Sequence, residues 1–313
     1  MPRYLVTGGA GFIGSHIVDA LTRTGNAVRV VDDLSTGRRE NLEPHPAVEL
    51  VEADLADDGV AAAAVAGIDR VIHLAAIPSV PRSVREPRRC HRANVEATHE
   101  LLLAACETGV RRVVLASSSS VYGESEALPK HEGMRPAPLS PYALHKLIGE
   151  QYGSLFTRLH GLETVALRFF NVFGPRQSPS SQYSGVISLF TAALLAGDAP
   201  TIYGDGEQTR DFTFVTDVAR GVLQACEAPA AAVSGRAINL ARGERTSVNA
   251  LHAALERATG VRVPARHADP RPGDVRHSQA DVALARELLG FEAAVTVEEG
   301  LRRTVVWQRA AAE

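Results

Sequence analysis

Four glycines, Gly8, Gly9, Gly11 and Gly14, stand within seven residues of one another, directly after the apolar run Tyr4-Leu5-Val6 and Thr7. Few local features restrict a fold more. Each glycine removes a Cβ where a strand must turn sharply into a helix, where backbone must approach an anion, or where helix must lie on strand. Gly8, Gly11 and Gly14 make a GxxGxxG spacing, while Gly9, Gly11 and Gly14 also satisfy GxGxxG. The segment sits between a predicted strand and a predicted helix, the setting in which such a turn holds a pyrophosphate on a helix N-terminus. A glycine turn used only for packing would satisfy the same spacing, so a second signal is needed. It comes about 20 residues on, where a predicted strand ends in Asp32-Asp33, placing a carboxylate where it can accept from ribose hydroxyls and repel a 2′-phosphate. The two signals together indicate a dinucleotide site for NAD in preference to NADP. Arg38 and Arg39 follow closely and either soften that preference or are simply solvated. Asp54, at the end of a third predicted strand, either meets the adenine edge or serves a turn or helix cap.

Short β-branched runs alternate with helical patterns through the first half of the chain, with strands expected over residues 4–7, 27–32, 48–51, 70–74, 113–117 and 164–169. Continuous apolar runs such as Val113-Val114-Leu115-Ala116 suit strands covered on both faces. The pattern is α/β, a doubly wound parallel sheet. Gly25 and Gly109 follow helical stretches where a left-handed C-cap fits, and Ser140-Pro141 reads as the N-cap and first residue of another helix. Beyond about residue 170 the alternation lapses. A Ser/Pro/Gln-rich segment over 174–184 leads into shorter elements, with strands expected at 200–203, 211–215 and 236–240 and helices near 185–196, 216–227, 247–259 and 297–308. The expected division is a dinucleotide-binding domain over residues 1–173, to which part of 211–245 returns, and a smaller mixed α/β substrate domain over 174–313.

Composition excludes several function classes. Of 313 residues, 45% are hydrophobic and 22% charged, ordinary proportions for a chain that buries a core. Lys and Arg number 33 against 36 Asp and Glu, a net charge of −3 that lacks the cationic excess of a general nucleic-acid binder. Cys90, Cys106 and Cys226 are far apart and without paired spacing, which argues against a disulfide framework or a structural zinc site, and the histidines, including His16, His145 and His277, show no metal-ligand spacing. The apolar stretch before Thr7 is too short for a signal peptide, and the alanine-rich run at 60–66 falls far below the roughly 20 residues that cross a bilayer. A soluble cytoplasmic protein without membrane or nucleic-acid partners is expected.

Tyr142 and Lys146 lie four residues apart, on one face of the helix that Ser140-Pro141 opens. An ammonium near a phenol stabilises the phenolate, so a tyrosine with an ordinary pKa of about 10 can exchange a hydroxyl proton nearer neutrality. A surface Tyr/Lys pair with no chemistry has the same spacing. Upstream, a predicted strand ends in Ser117-Ser118-Ser119-Ser120-Val121-Tyr122-Gly123, which places hydroxyls at the carboxyl end of the sheet, where folds of this kind bind ligands.

These segments, with Asp32 to Gly37, His73-Leu74-Ala75-Ala76, Asn94, Arg168 to Pro175, Tyr203 to Gly206, Thr209-Arg210-Asp211-Phe212 and Arg271 to Ser278, occur in the order in which they occur in the extended short-chain dehydrogenase/reductase family. The chain resembles that family over nearly its whole length, and within it the UDP-hexose 4-epimerases, particularly those accepting N-acetylated sugars. The resemblance implies a Rossmann fold and a tightly held NAD contacted by Gly8, Gly11, Phe12, Ile13, Gly14, Asp32, Asp33, Ser35, Gly37, Asp54, Leu55, Leu74, Ala75, Ala76, Asn94, Tyr142 and Lys146. It further implies that NAD takes a hydride from C4 of the sugar while Tyr142, aided by Ser118, removes the O4 proton. The 4-keto sugar then turns in the pocket and is reduced on its other face. Lys146 would bind the nicotinamide ribose and lower the Tyr142 pKa.

Departures from relatives narrow the chemistry. The 4,6-dehydratases carry Asp-Glu directly after the active-site Ser/Thr, and decarboxylating relatives a glutamate at the second of those positions; here they are Ser119 and Ser120. Re-reduction is then the simplest fate of the keto sugar. A 5,6-dehydratase using another base such as Glu124, or a non-catalytic NAD-binding regulator on the same fold, are the alternatives. By resemblance, Arg210 and Arg271 clamp the substrate diphosphate, Asn171 contacts diphosphate or sugar, Tyr203 lies by the uracil, and Asp274 belongs to the substrate segment. Without the resemblance, those arginines are solvated surface charges and Asn171 an ordinary turn residue. Ser278 occupies a position where a bulky tyrosine excludes N-acetyl groups in some relatives; a serine leaves room for UDP-GlcNAc, although glucuronate epimerases carry a small residue there too. A homodimer built on helices near 92–108 and 142–160 is implied as well.

Overall fold

A computed structural model describes residues 1–178, 185–270 and 275–311. Seven strands, β1 (Arg3–Thr7), β2 (Ala27–Asp32), β3 (Glu49–Glu52), β4 (Arg70–His73), β5 (Arg112–Ser118), β6 (Glu163–Phe169) and β7 (Arg236–Leu240), form one sheet. All neighbours are parallel, in the order β7-β6-β5-β4-β1-β2-β3. The direction of winding reverses between β4 and β1, and a cleft opens there at the carboxyl ends of the strands. β7 reaches this sheet from late in the chain, pairing Ile238 with Leu167 of β6.

Helices cover both faces because successive strand residues point to opposite sides. Tyr4 and Val6 share a core with Ile17 and Val18 of α1 (Phe12–Arg23). Leu5 packs on the other face with Ala61 of α2 (Val60–Val65), Leu101 of α3 (Ala97–Thr108) and Phe156 of α4 (Pro141–His160). Beyond β6 the chain builds a separate core from Phe190 of α5 (Val186–Ala196), Phe173, Phe212 and Phe214. It then returns to the first core with Val218 and Val222 of α6 (Val215–Glu227). Leu251 of α7 (Val248–Thr259) and Leu301 of α8 (Val297–Ala310) complete the second. The strand expected at 211–215 is shorter, Phe212–Phe214, and pairs with Asn171–Phe173, because Val215 already begins α6.

Local chemistry sets the helix ends. The Ser140 side chain accepts from the Ala143 N–H at 3.1 Å with Pro141 in the first turn, and Gly109 caps α3 at φ +75°. Buried Arg112 fixes α6 to the sheet. Its Nη1 donates to the carbonyls of Ala225, Cys226 and Ala228 at 3.0, 3.0 and 2.6 Å, and its Nε to Glu163 at 2.8 Å, so a guanidinium terminates the helix that packs beneath β5. Among the described residues no helix is long and apolar enough to cross a membrane.

Candidate active site

The cleft holds a cavity of about 730 Å³. Its floor begins with the glycine turn. Gly8 has φ +69°, and a Cβ there would stand 2.9 Å from the Ala75 nitrogen; at Gly14 a Cβ would meet the Gly8 carbonyl oxygen at 2.2 Å. Gly11, the N-cap of α1, places no side chain on the first turn, which leaves that turn's N–H groups for an anion. A cradle that only glycine permits, opening on a helix N-terminus, fits a dinucleotide.

The two strand-end aspartates divide the work. Buried Asp32 accepts from the Ala10 and Leu34 N–H groups at 2.9 and 3.0 Å and so holds the turn's shape; burial raises its pKa. Exposed Asp33 accepts from Ser35, backbone at 3.0 Å and hydroxyl at 2.6 Å, and lines the cavity beside it. Asp54 accepts from the Ala56 N–H at 2.9 Å as a turn residue, and it also lines the cavity, where Arg92 donates to it at 2.7 Å. Phe12, Ile13, Leu55, Leu74, Ala75 and Ala76 complete this end, and Arg38 joins it. Gly37 and Asn94 do not line the cavity. Gly37 gives room to Asp32, whose Oδ1 would lie 2.7 Å from a Cβ there. Asn94 spends its amide on Ile77, accepting from its N–H at 2.7 Å and donating to its carbonyl at 3.3 Å, and so fixes the loop after β4.

That loop is tied to the glycine turn by a buried chain whose protons can be assigned. Thr98 Oγ1 donates to the Asn94 carbonyl at 2.9 Å, so it accepts from His73 Nε2 at 2.9 Å. His73 Nδ1 is then bare and accepts from Thr7 Oγ1 at 2.7 Å, leaving the Thr7 oxygen to accept from the Leu74 and Ala75 N–H groups, both at 3.2 Å. Only neutral imidazole satisfies this arrangement, in keeping with burial pushing the His73 pKa down to about 3.

At the other end of the cavity β5 delivers Ser118 and α4 delivers Tyr142 and Lys146. The Tyr142 phenol is hydrogen-bonded to Ser118, whose Oγ also accepts from the Ser120 N–H at 3.2 Å. Burial raises the Tyr142 pKa and the Ser118 bond draws it back. Lys146 Nζ lies 6.0 Å from the Tyr142 ring centre and donates to the Ala116 carbonyl at 2.8 Å, and burial lowers its pKa to about 8. Below Ser118, buried Glu150 accepts from Ser117 and takes both prongs of Arg168 at 2.8 and 2.7 Å, which fixes the end of β5. Among the described residues lining the cavity the carboxylates are Asp32, Asp33 and Asp54, at the ends of β2 and β3; Glu124 is not one of them.

Of the expected substrate residues, Asn171 lines the cavity. Tyr203, Arg210 and Ser278 do not; they gather around one short strand, Thr209–Arg210. Arg210 donates to the Thr209 carbonyl at 2.9 Å, the Ser278 N–H to the same oxygen at 3.1 Å, and Gln208 to the Tyr203 carbonyl at 2.7 Å. Backbone joins this cluster to the cavity, since the Asn171 N–H donates to the Asp211 carbonyl at 3.0 Å. Arg271 and Asp274 lie outside the described residues. Sequence reasoning missed Arg82, Arg89, Arg92 and Arg176 as lining residues; the density of arginine between 82 and 92 was the available signal.

Comparison with known proteins agrees with this geometry. The profile of the NAD dependent epimerase/dehydratase family matches residues 4–241. The UDP-glucose 4-epimerase of Mycolicibacterium smegmatis is 42% identical over 312 residues, covering 98% of each chain. The structure of a UDP-N-acetylglucosamine 4-epimerase from Methanobrevibacter ruminantium, in complex with UDP-N-acetylmuramic acid, superposes with a TM-score of 0.95 at 40% identity over 99% of both chains. That of a Thermus thermophilus UDP-glucose 4-epimerase in complex with NAD gives 0.91 at 36% identity, again over 99% of both. With a cradle that fits NAD and relatives matched from end to end, the chain belongs to the NAD dependent epimerase/dehydratase family.

Proposed function

We propose that this chain interconverts C4 epimers of a UDP-hexose, with UDP-GlcNAc as the preferred substrate over UDP-glucose and UDP-glucuronate. The observation that carries the reading is that Ser118, Tyr142 and Lys146 line the cavity opened by the glycine turn, while Ser119 and Ser120 follow where elimination or decarboxylation would need carboxyl groups. NAD, when bound, supplies reversible hydride transfer at the sugar carbon. The chain's residues supply position and proton exchange. The glycine turn, Asp33, Ser35, Asp54, Leu55 and residues 74–76 hold the dinucleotide, and Lys146 holds its nicotinamide ribose. Tyr142 passes a proton to and from the sugar 4-hydroxyl through the phenol that Ser118 orients. Because no carboxylate among the described residues lines this end of the cavity, re-reduction is the simplest fate of an oxidised sugar.

Residues 1–173 with returning β7 form the dinucleotide half in this reading, and the remainder of 174–313 the sugar-nucleotide half. Asn171, Tyr203, Arg210, Arg271, Asp274 and Ser278 recognise the UDP-sugar, the small Ser278 leaving space for an N-acetyl group. The enzyme works in the cytoplasm as a homodimer through α3 and α4, where the apolar side chains of Leu144, Leu155 and Leu159 are exposed. Light scattering should return twice the chain mass, and a monomer would remove the dimer. The central test is NMR of products after separate incubation with UDP-GlcNAc, UDP-glucose and UDP-glucuronate. Appearance of the C4 epimer, fastest from UDP-GlcNAc, is expected; no epimer from any of the three would overturn the proposal, and a product lighter by one water would establish the dehydratase instead.

A further inference from the structure

The cavity carries more positive charge than the cradle described above employs. On the wall between β4 and α3, Arg82 of the helix Val80–Arg85 and Arg89 of the helix Pro87–His91 both line it. Of the other cations that line it, Arg92 is paired with Asp54 and Asp57, Arg176 lies 2.9 Å from Asp19 and Lys146 donates to the Ala116 carbonyl, while Arg38 lines it as well. Arg82 and Arg89 instead share one carboxylate oxygen of Glu86, at 3.3 and 3.4 Å, the long edge of hydrogen bonding. Two guanidinium forks of five donors each thus meet one loosely held acceptor, with a net charge of one positive unit.

The arginine-bearing segment is not a loose loop. Ser83, fully buried between them in sequence, accepts from the Tyr142 N–H at 3.0 Å and donates to the Val80 carbonyl at 2.7 Å, which anchors the segment to the start of α4. It leads into α3, on the sheet face opposite α1. The first turn of α1 and the two guanidinium forks therefore line one cavity.

We propose that Arg82 and Arg89 are the side-chain half of the diphosphate site for the dinucleotide, complementing the backbone half at the glycine turn, with Glu86 holding the two forks together. Planar forks match phosphate oxygens two at a time, and a diphosphate carries the charge to draw both from one carboxylate. This inference rests on the family's NAD and not on the identity of the sugar, so it can fail while the epimerase reading stands.

The test is calorimetric titration of NAD, adenosine and UDP into the protein and into Arg82→Met, Arg89→Met and the double variant, at low and high salt. Each substitution is expected to weaken NAD about tenfold and to flatten the salt dependence, while adenosine, which lacks the diphosphate, and UDP bind as before. NAD binding within twofold of the parent in the double variant overturns the proposal, as does a loss seen with UDP and not with NAD, which would assign the pair to the sugar nucleotide. If the double variant does not fold, Arg82→Lys and Arg89→Lys, which keep charge and lose the fork, decide: weakened NAD binding supports the clamp and parental binding refutes it.

Discussion

Tyr142 and Lys146 show how far residue spacing carries chemistry. Four residues on one helix put both groups on the cavity, and that much was legible from the chain alone. The direction of the Tyr142 pKa was not, because it depends on burial and on the bond to Ser118, both set by tertiary contacts. If the phenol carries the proton, Tyr142→Phe lowers the epimerisation rate by about 10²–10⁴ while NAD binds within a few-fold of the parent, measured by NMR rates and calorimetry. An unchanged rate would place the proton elsewhere. The serines after Ser118 give a gain-of-function test. Ser119→Asp combined with Ser120→Glu restores the carboxyls a dehydratase uses, so a product lighter by one water is expected by mass spectrometry; isomers alone would show that these positions do not select the outcome.

Connections between elements were less visible. The strands, the glycine turn and the Asp32-Asp33 strand end follow from periodicity and spacing, yet Asn94 works on Ile77 rather than on the cavity, because the helical turn bearing it faces the loop after β4. Nothing local marks His73 as the link between β1, β4 and α3. Its titration makes that link measurable. With its pKa near 3 in the folded chain and about 6.5 when unfolded, the unfolded state binds the extra proton between those values. Stability from this group is therefore complete above about pH 6.5 and is lost as pH falls toward 3, by up to about 1.4 kcal/mol per pH unit. Urea unfolding between pH 7.5 and 5 should show this limb, and His73→Gln should flatten it; an equal slope in the variant would mean that His73 is not held neutral.

For the molecule as a whole, the doubly wound sheet was legible because buried parallel strands leave long apolar runs. The contacts joining its two cores were not, since they pair residues distant in sequence. Asp211 is one of them: fully buried, its carboxylate accepts from the N–H groups of Arg242, Gly243 and Ala280 at 3.2, 3.0 and 3.1 Å, gathering segments on either side of the Arg210 cluster. Asp211→Asn offers one acceptor oxygen and turns an amide N–H toward a backbone donor, so a loss of about 1–3 kcal/mol in denaturant unfolding is expected. A variant as stable as the parent would show that these bonds are not a structural knot. Arg112 makes a comparably long-range contact within the first core, spanning from β5 to the carbonyls that end α6.

β7 lies at the outer margin of the sheet although the chain reaches it only after building much of the second core. Recombining recognition of one sugar with the cofactor platform of a relative therefore takes more than a single crossover after residue 173: such a splice would give the platform a foreign margin strand and a foreign α6 under a native Arg112. The exchange has to leave 215–240 with the recipient, so that new specificity enters as two inserted pieces.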